Sequence, residues 1–138
     1  RLLKWRKLQS NGVFNPLAAI TQATHRQIGD FEPTRRIARV MVDEVLAVAA
    51  SVGVRTGTTA DQMIDDVRKR VGILSSTLQD VRFGRELELD ALINSIIDVG
   101  RLTGVATPFL EVASACAGLL NQRIVDDGVA FAPAAVRK

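Results

Sequence analysis

The sequence predicts an all-α fold, a bundle of about seven helices, and three observations point to it. Aromatic residues make up only 4% of the chain and tyrosine is absent, so a core has to be assembled from Leu, Ile, Val and Ala, which favours packed helices. Three of the four prolines stand directly behind Asn15, Glu32 and Thr107. Proline suits a helix's first turn and discourages helix in the residue before it, so each pair marks a helix start. Apolar residues recur at three- and four-residue steps over long segments, while no segment alternates long enough to make a convincing strand. The 138 residues suffice for one domain with its own core.

Taken in order, a first helix is expected over residues 2–13, stopping near Asn11-Gly12, and a short second one over 16–23 behind Asn15 as N-cap. A connector through Gly29 and Asp30 follows. Ile37, Val40, Met41, Glu44, Val45, Val48 and Ala49 then mark an amphipathic helix over 33–52 that stops at Gly53. Thr59 caps a helix through about Val71, and Ser75 and Ser76 cap another that ends at Gly84. Leu89, Leu92, Ile93, Ile96, Ile97 and Val99 define a helix over 87–102 closed by Gly104, with Glu88 as its first-turn acid. The last helix runs over 108–126. The unit is therefore expected to cover residues 1–126, with 127–138 as a flexible tail lacking any sustained period.

Charge and cysteine content narrow the function classes. The net charge is +3 and the pI about 9.6, but Arg1, Lys4, Arg6 and Lys7 crowd into the first seven positions and the remainder is nearly neutral. A nucleic-acid binder would spread basic residues along one face with aromatics or a recognisable motif, and neither is present. No apolar run reaches membrane-spanning length, and the basic start lacks the apolar core of a secretory signal. The single cysteine, Cys116, excludes an intrachain disulfide, fits a reducing cytoplasmic compartment and reads as a small buried hydrophobe. A lone His25 makes no metal site, and neither Gly-x-Gly-x-x-Gly nor Gly-Lys-Ser/Thr occurs, so no phosphate cradle is expected.

One polar pattern stands out. Lys7, Asn11 and Asn15 are spaced four apart, which on a helix stacks an ammonium and two amides along one face. Asparagine is a poor helix former that tends to sit where its amide has a specific hydrogen bond to make, and a substrate contact is one such bond. Each residue also has a plainer reading: Lys7 as a solvated lysine, Asn15 as an N-cap, Ser75 and Ser76 as caps.

The pattern Trp5-Arg6-Lys7-Leu8, Asn11 and Asn15-Pro16-Leu17 resembles the opening of the C-terminal helical domain of the ketopantoate reductase (2-dehydropantoate 2-reductase) family. Met41 and Glu44-Val45, Ser75-Ser76-Thr77-Leu78-Gln79-Asp80, Gly84-Arg85, Glu88-Leu89-Asp90 and Gly104-Val105-Ala106-Thr107-Pro108 follow in the family's order, so that the resemblance covers about residues 2–120.

The resemblance implies a helical fold like the C-terminal domain of 6-phosphogluconate dehydrogenase. It also implies a partner, an N-terminal Rossmann domain that binds NADPH and closes over the helical domain around a small 2-keto acid, 2-dehydropantoate or a relative. Matched position by position, Lys7 takes the place of the catalytic lysine that protonates the ketone oxygen. Asn11 and Asn15 take those of substrate-binding amides, Ser76 that of the serine that binds the carboxylate, and Glu88 that of the acid that places substrate and lysine. Reducing a keto group develops charge on its oxygen, which is where a fixed ammonium is most valuable. The isolated chain is then expected to be inactive, with no metal and a possible homodimer. The alternative is a non-catalytic helical dimerisation or interaction module using apolar faces near Val40 and Ile96.

Overall fold

The computed structural model describes residues 2–70 and 75–131. They form seven α-helices and one π-helical turn: α1 Leu2–Thr21, α2 His25–Asp30, α3 Glu32–Ser51, α4 Ala60–Arg68, α5 Ser76–Arg82, the π-turn Asp90–Asn94, α6 Ser95–Thr103 and α7 Pro108–Asp127. No strand occurs among the described residues. The expected end of α4 at Val71 and the tail over 132–138 lie outside them. Helix α1 is the spine, packed by α3, α4, α5, α7 and the π-turn. Around it Phe14, Met41, Ile64, Leu78, Ile93, Ile96 and Leu110 are almost wholly buried.

Three departures from the sequence reading have identifiable causes. First, α1 does not stop at Asn11-Gly12 but runs through Pro16, which sits inside the helix. Proline in a helix interior costs about 3 kcal/mol, but Val13, Phe14 and Ala18 around it are fully buried and that packing holds the helix together. Gly12 is not a terminator. A Cβ there would lie 2.8 Å from Ile96 Cδ1, so the glycine leaves room for the Ile96 side chain of α6. The true end of α1 falls to Gln22, a non-glycine residue at φ 58°, whose N–H donates to Ala18 O at 2.7 Å.

Second, the expected connector through Gly29 and Asp30 is the helix α2, opened by a reciprocal capping box between Thr24 and Gln27. Third, the expected helix over 87–102 begins late: Leu87 N–H donates to Asn121 Oδ1 at 2.7 Å, and Asn94 N–H reaches back to Leu89 O at 3.1 Å in a π-type bond. Glu88 is therefore not a first-turn acid. Asn15, likewise, is not an N-cap but a residue of the α1 interior. Cys116 is exposed on α7 rather than buried, and Val40 is 39% exposed whereas Ile96 is at 0%.

Other expectations hold. Thr59 and Gln62 form the capping box of α4, Ser75 Oγ accepts from Leu78 N–H at 3.1 Å, and Gly104 closes α6 in the left-handed conformation at φ 75°. Helix α7 receives its cap from elsewhere in the chain. Thr107 makes no side-chain cap, and the buried Glu44 of α3 accepts from Phe109 N–H and Leu110 N–H, both at 3.0 Å. A carboxylate placed on the positive end of a helix locks α3 to α7.

A ladder of charges crosses α2, α3 and α4. Arg39 pairs with Asp61 (3.0 Å), Asp61 with Arg35 (3.5 Å), Arg35 with Asp65 (3.1 Å), Asp65 with Arg68 (3.3 Å), Arg68 with Asp30 (2.6 Å) and Asp30 with Arg26 (3.4 Å). The hydrogen bond from Arg68 holds the Asp30 carboxyl below its ordinary range, and that from Arg35 does the same for Asp65. Past α7, Phe131 N–H donates to Val81 O at 3.1 Å, so residues 128–131 run back against α5. Among the described residues no helix is long and apolar enough to cross a membrane.

Candidate active site

Three of the five residues singled out in the sequence share α1. Lys7, Asn11 and Asn15 follow one another at about one turn, roughly 6 Å of helix rise per step. They descend from solvent to core: Lys7 is exposed, Asn11 half-buried and Asn15 only 6% exposed. Asn15 Oδ1 is buried without a hydrogen-bond partner, as is Nε2 of Gln9, a residue only 1% exposed on the same helix. A buried amide left unpaired costs roughly 1–3 kcal/mol.

Of the other two residues, Ser76 stands on α5, which packs on α1, and Glu88 in the loop that leads into the π-turn, which packs on α1 as well. Ser76 opens α5 and is exposed, because the capping role belongs to Ser75. Glu88 is exposed in the irregular stretch two residues before the π-turn. Among the described residues no hydrogen bond or ion pair joins Lys7, Asn11, Asn15, Ser76 and Glu88 to one another. None of the five lines a pocket found among the described residues.

The structure adds a residue that the sequence reading set aside. His25, the first residue of α2, stacks at a tilt on Phe14, with ring centroids 5.4 Å apart. Burial first, and the nearby Arg70 guanidinium second, lower its pKa from 6.5 to about 4, so its imidazole is neutral at ordinary pH. Its Nε2 is buried without a partner. The signal that could have placed it was the Thr24-His25-Arg26-Gln27 capping box, which turns the supposed connector into a helix whose first residue packs on Phe14.

A separate polar pocket of about 440 Å³ lies between the π-turn, α6 and α7, lined among others by Asp90, Asn94, Asp98, Arg101 and Glu111. Its polar groups are mutually engaged: Ser114 Oγ donates to Asn94 Oδ1, Asn94 Nδ2 to Asp90 Oδ1 at 2.8 Å, and Arg101 to Glu111 at 3.2 Å. No group of three or more His, Cys, Asp or Glu side chains that could hold a metal occurs among the described residues. Among the described residues, five of the seven α-helices offer a dinucleotide's phosphates no open N-terminus. Phosphates want open helix N-termini and glycine-rich turns. Those of α2, α4, α5 and α7 are already occupied by Thr24, Thr59, Ser75 and Glu44, and α3 opens with the acidic Glu32.

Comparison with known proteins gives a consistent result. The model of the family described as "Ketopantoate reductase PanE/ApbA C terminal" matches residues 1–121. A 2-dehydropantoate 2-reductase of Mesorhizobium japonicum is 37% identical over 111 residues, covering 80% of this chain and 34% of that protein. The chain thus spans about a third of the length of that curated relative. The crystal structure of 2-dehydropantoate 2-reductase from Methylococcus capsulatus superposes with a TM-score of 0.79 at 27% identity, over 89% of this chain and 43% of the other. A D-mandelate dehydrogenase structure with NADH and anilino(oxo)acetate shares the fold, with a TM-score of 0.77 at 22% identity over 88% of this chain and 52% of the other.

Proposed function

The chain belongs to the ketopantoate reductase family as its C-terminal domain, and on that premise we propose that it is the substrate-binding and catalytic half of an NADPH-dependent 2-keto acid reductase. Its substrate is 2-dehydropantoate or a close relative. The observation that carries this reading is the descent of Lys7, Asn11 and Asn15 along α1, against which α5, opened by Ser76, and the π-turn that follows Glu88 both pack. An ammonium at the rim, amides below it and an unpaired amide oxygen at the bottom make a graded polar wall. Such a wall needs a second one, and the dinucleotide-binding domain that precedes it in a full-length enzyme supplies it together with the reduced nicotinamide.

Within that cleft each residue type has a distinct task. The Lys7 ammonium donates its proton to the keto oxygen as negative charge develops there, acting as acid and electrostatic clamp together. The Asn11 and Asn15 amides hold the hydroxyl and carbonyl side of the substrate, and the Ser76 hydroxyl binds its carboxylate; none of them competes for the proton. The Glu88 carboxylate keeps the ammonium aimed. We place the enzyme in the cytoplasm, where an exposed thiol such as Cys116 stays reduced.

The test is NADPH oxidation by the full-length polypeptide supplied with 2-dehydropantoate. Lys7→Ala should lower kcat roughly 10²- to 10³-fold with an unchanged melting curve, since Lys7 is exposed. The 138-residue chain alone should show no turnover. A full-length Lys7→Ala enzyme with unaltered kcat would refute the assignment.

A further inference from the structure

Phe14 stands two turns below Lys7 on α1 and so lies on the same face of that helix. It is fully buried, and the His25 ring packs on it with centroids 5.4 Å apart. His25 Nε2 is buried without a hydrogen-bond partner. An unused imidazole nitrogen therefore stands at the foot of the face whose rim carries Lys7. The charges near it are mainly positive. Helix α2, which His25 opens, packs on α4. A cavity of about 410 Å³ at that corner is lined by Arg26, Arg68 and Lys69 with one carboxylate, that of Asp65. Asp65 and the neighbouring Asp30 are already bound by Arg35, Arg68 and Arg26. Arg70, exposed and next in the chain to Lys69, lies close enough to His25 for its charge to disfavour protonation of the imidazole. Among the described residues neither Lys69 nor Arg70 has an ion-pair partner.

From this juxtaposition of an unpaired imidazole nitrogen with unpaired cations, two turns below Lys7, we infer that the corner between α2 and α4 extends the substrate site. It binds a second carboxylate, at the end of the keto acid remote from the keto carbon. The inference deepens the reductase reading and rests on Lys7 as the proton donor. Arg70 pairs with the charge of that carboxylate, and a planar guanidinium matches a carboxylate with two parallel hydrogen bonds. The neutral His25 imidazole carries its proton on Nε2 and donates it to the same group, which satisfies the buried nitrogen. Lys69 and the arginines of the cavity add a positive field that an uncharged substrate end leaves unused. The spacing suits a short diacid. Phe14 lies roughly 10 Å from Lys7 by helix rise. A hydrogen bond at each end takes about 3 Å. The remaining length fits about three carbon–carbon bonds of roughly 1.5 Å each.

The test compares two acids on the full-length polypeptide with NADPH: 2-oxoglutarate, whose second carboxylate lies that far from the keto carbon, and 2-oxopentanoate, which has the same chain length without it. The diacid should have the higher kcat/KM, by about 10- to 100-fold at low salt, and the preference should shrink as salt is added. Arg70→Ala should remove that preference through KM and leave 2-oxopentanoate unaffected. Arg70→Lys should keep part of it. His25→Gln, which retains an N–H, should lose less than His25→Leu. Arg70 is exposed, so its variants should melt as the wild type does. Calorimetric titration of 2-oxoglutarate into the same proteins reads the site without turnover. Binding that depends on Arg70 in an enzyme that reduces neither acid would sustain the inference while the catalytic reading fails. Equal kcat/KM for the two acids overturns the inference. A loss in Arg70→Ala that is the same for both acids, or a diacid that does not bind, overturns it as well.

Discussion

The α2–α4 face and the α1 face treat polar groups in opposite ways. On the first, seven arginines and aspartates sit near the surface and every one of them has a partner of opposite sign. On the second, Gln9 and Asn15 are neutral, buried and each left with an unpaired atom, and His25 at its margin is held neutral with an unpaired Nε2. Exposed ion pairs are each worth about 0–1 kcal/mol, and the ladder gains mainly because its members are shared. Buried unpaired amides cost more than that apiece. A helix that retains such costs is not optimised for stability, and the polar wall of a binding site is a physical reason to retain them.

Three measurements would break or sharpen this contrast. The largest effect is expected from Arg35→Ala. The Arg35 side chain is 15% exposed and bonds Asp61, Asp65 and Gly29 O, so its loss removes the middle of the ladder. Chemical denaturation should show about 2 kcal/mol of lost stability, while kcat of the full-length enzyme stays unchanged. A fall in kcat comparable with that of Lys7→Ala would erase the division between the two faces.

A smaller effect concerns pH. His25 has its pKa lowered from 6.5 to about 4, so as acid is added the unfolded chain binds the proton first. The stability that His25 contributes is complete above pH 6.5 and is lost as pH falls toward 4. Asp30 and Asp65, whose pKa values are also lowered, release their contributions only at more acid pH, below 3.8. Denaturation midpoints should therefore drop by about 1–2 kcal/mol equivalent across that upper window, and His25→Gln should flatten the slope. An unchanged slope in the variant would show that His25 is not the titrating group.

The smallest effect has the opposite sign. Replacing the buried Asn15 by Leu removes an unpaired amide oxygen, so stability of the chain should rise by roughly 0.5–1 kcal/mol. In the full-length enzyme the same substitution should raise KM for the keto acid. Loss of stability in Asn15→Leu would mean that the amide is held by a structural bond and is not available to a ligand.

How much of this was readable in advance differs residue by residue. Thr59, Ser75 and Gly104 act as the sequence indicated, because a capping hydroxyl or a left-handed glycine is satisfied within a few residues of itself. The choice of Lys7, Asn11 and Asn15 also rested on local spacing, and α1 does carry all three. Pro16 and Gly12 misled because their local preferences were outweighed by contacts to residues distant in sequence, such as Ile96. Glu44 could not have been recognised as the cap of α7, since its partners lie 65 and 66 positions away.

The amino-acid order by itself determined the helical class, most helix ends, the family resemblance and the polar stripe, all of which follow from periodicity and from bonds closed within one or two turns. Only the tertiary structure decided that α1 continues through a proline, that Glu44 caps the start of a helix distant in the chain, that Asn15 Oδ1 and His25 Nε2 are buried without hydrogen-bond partners, and that Cys116 is exposed on α7. The reason is physical: burial and packing depend on which surfaces meet, and those meetings join residues that the sequence holds far apart.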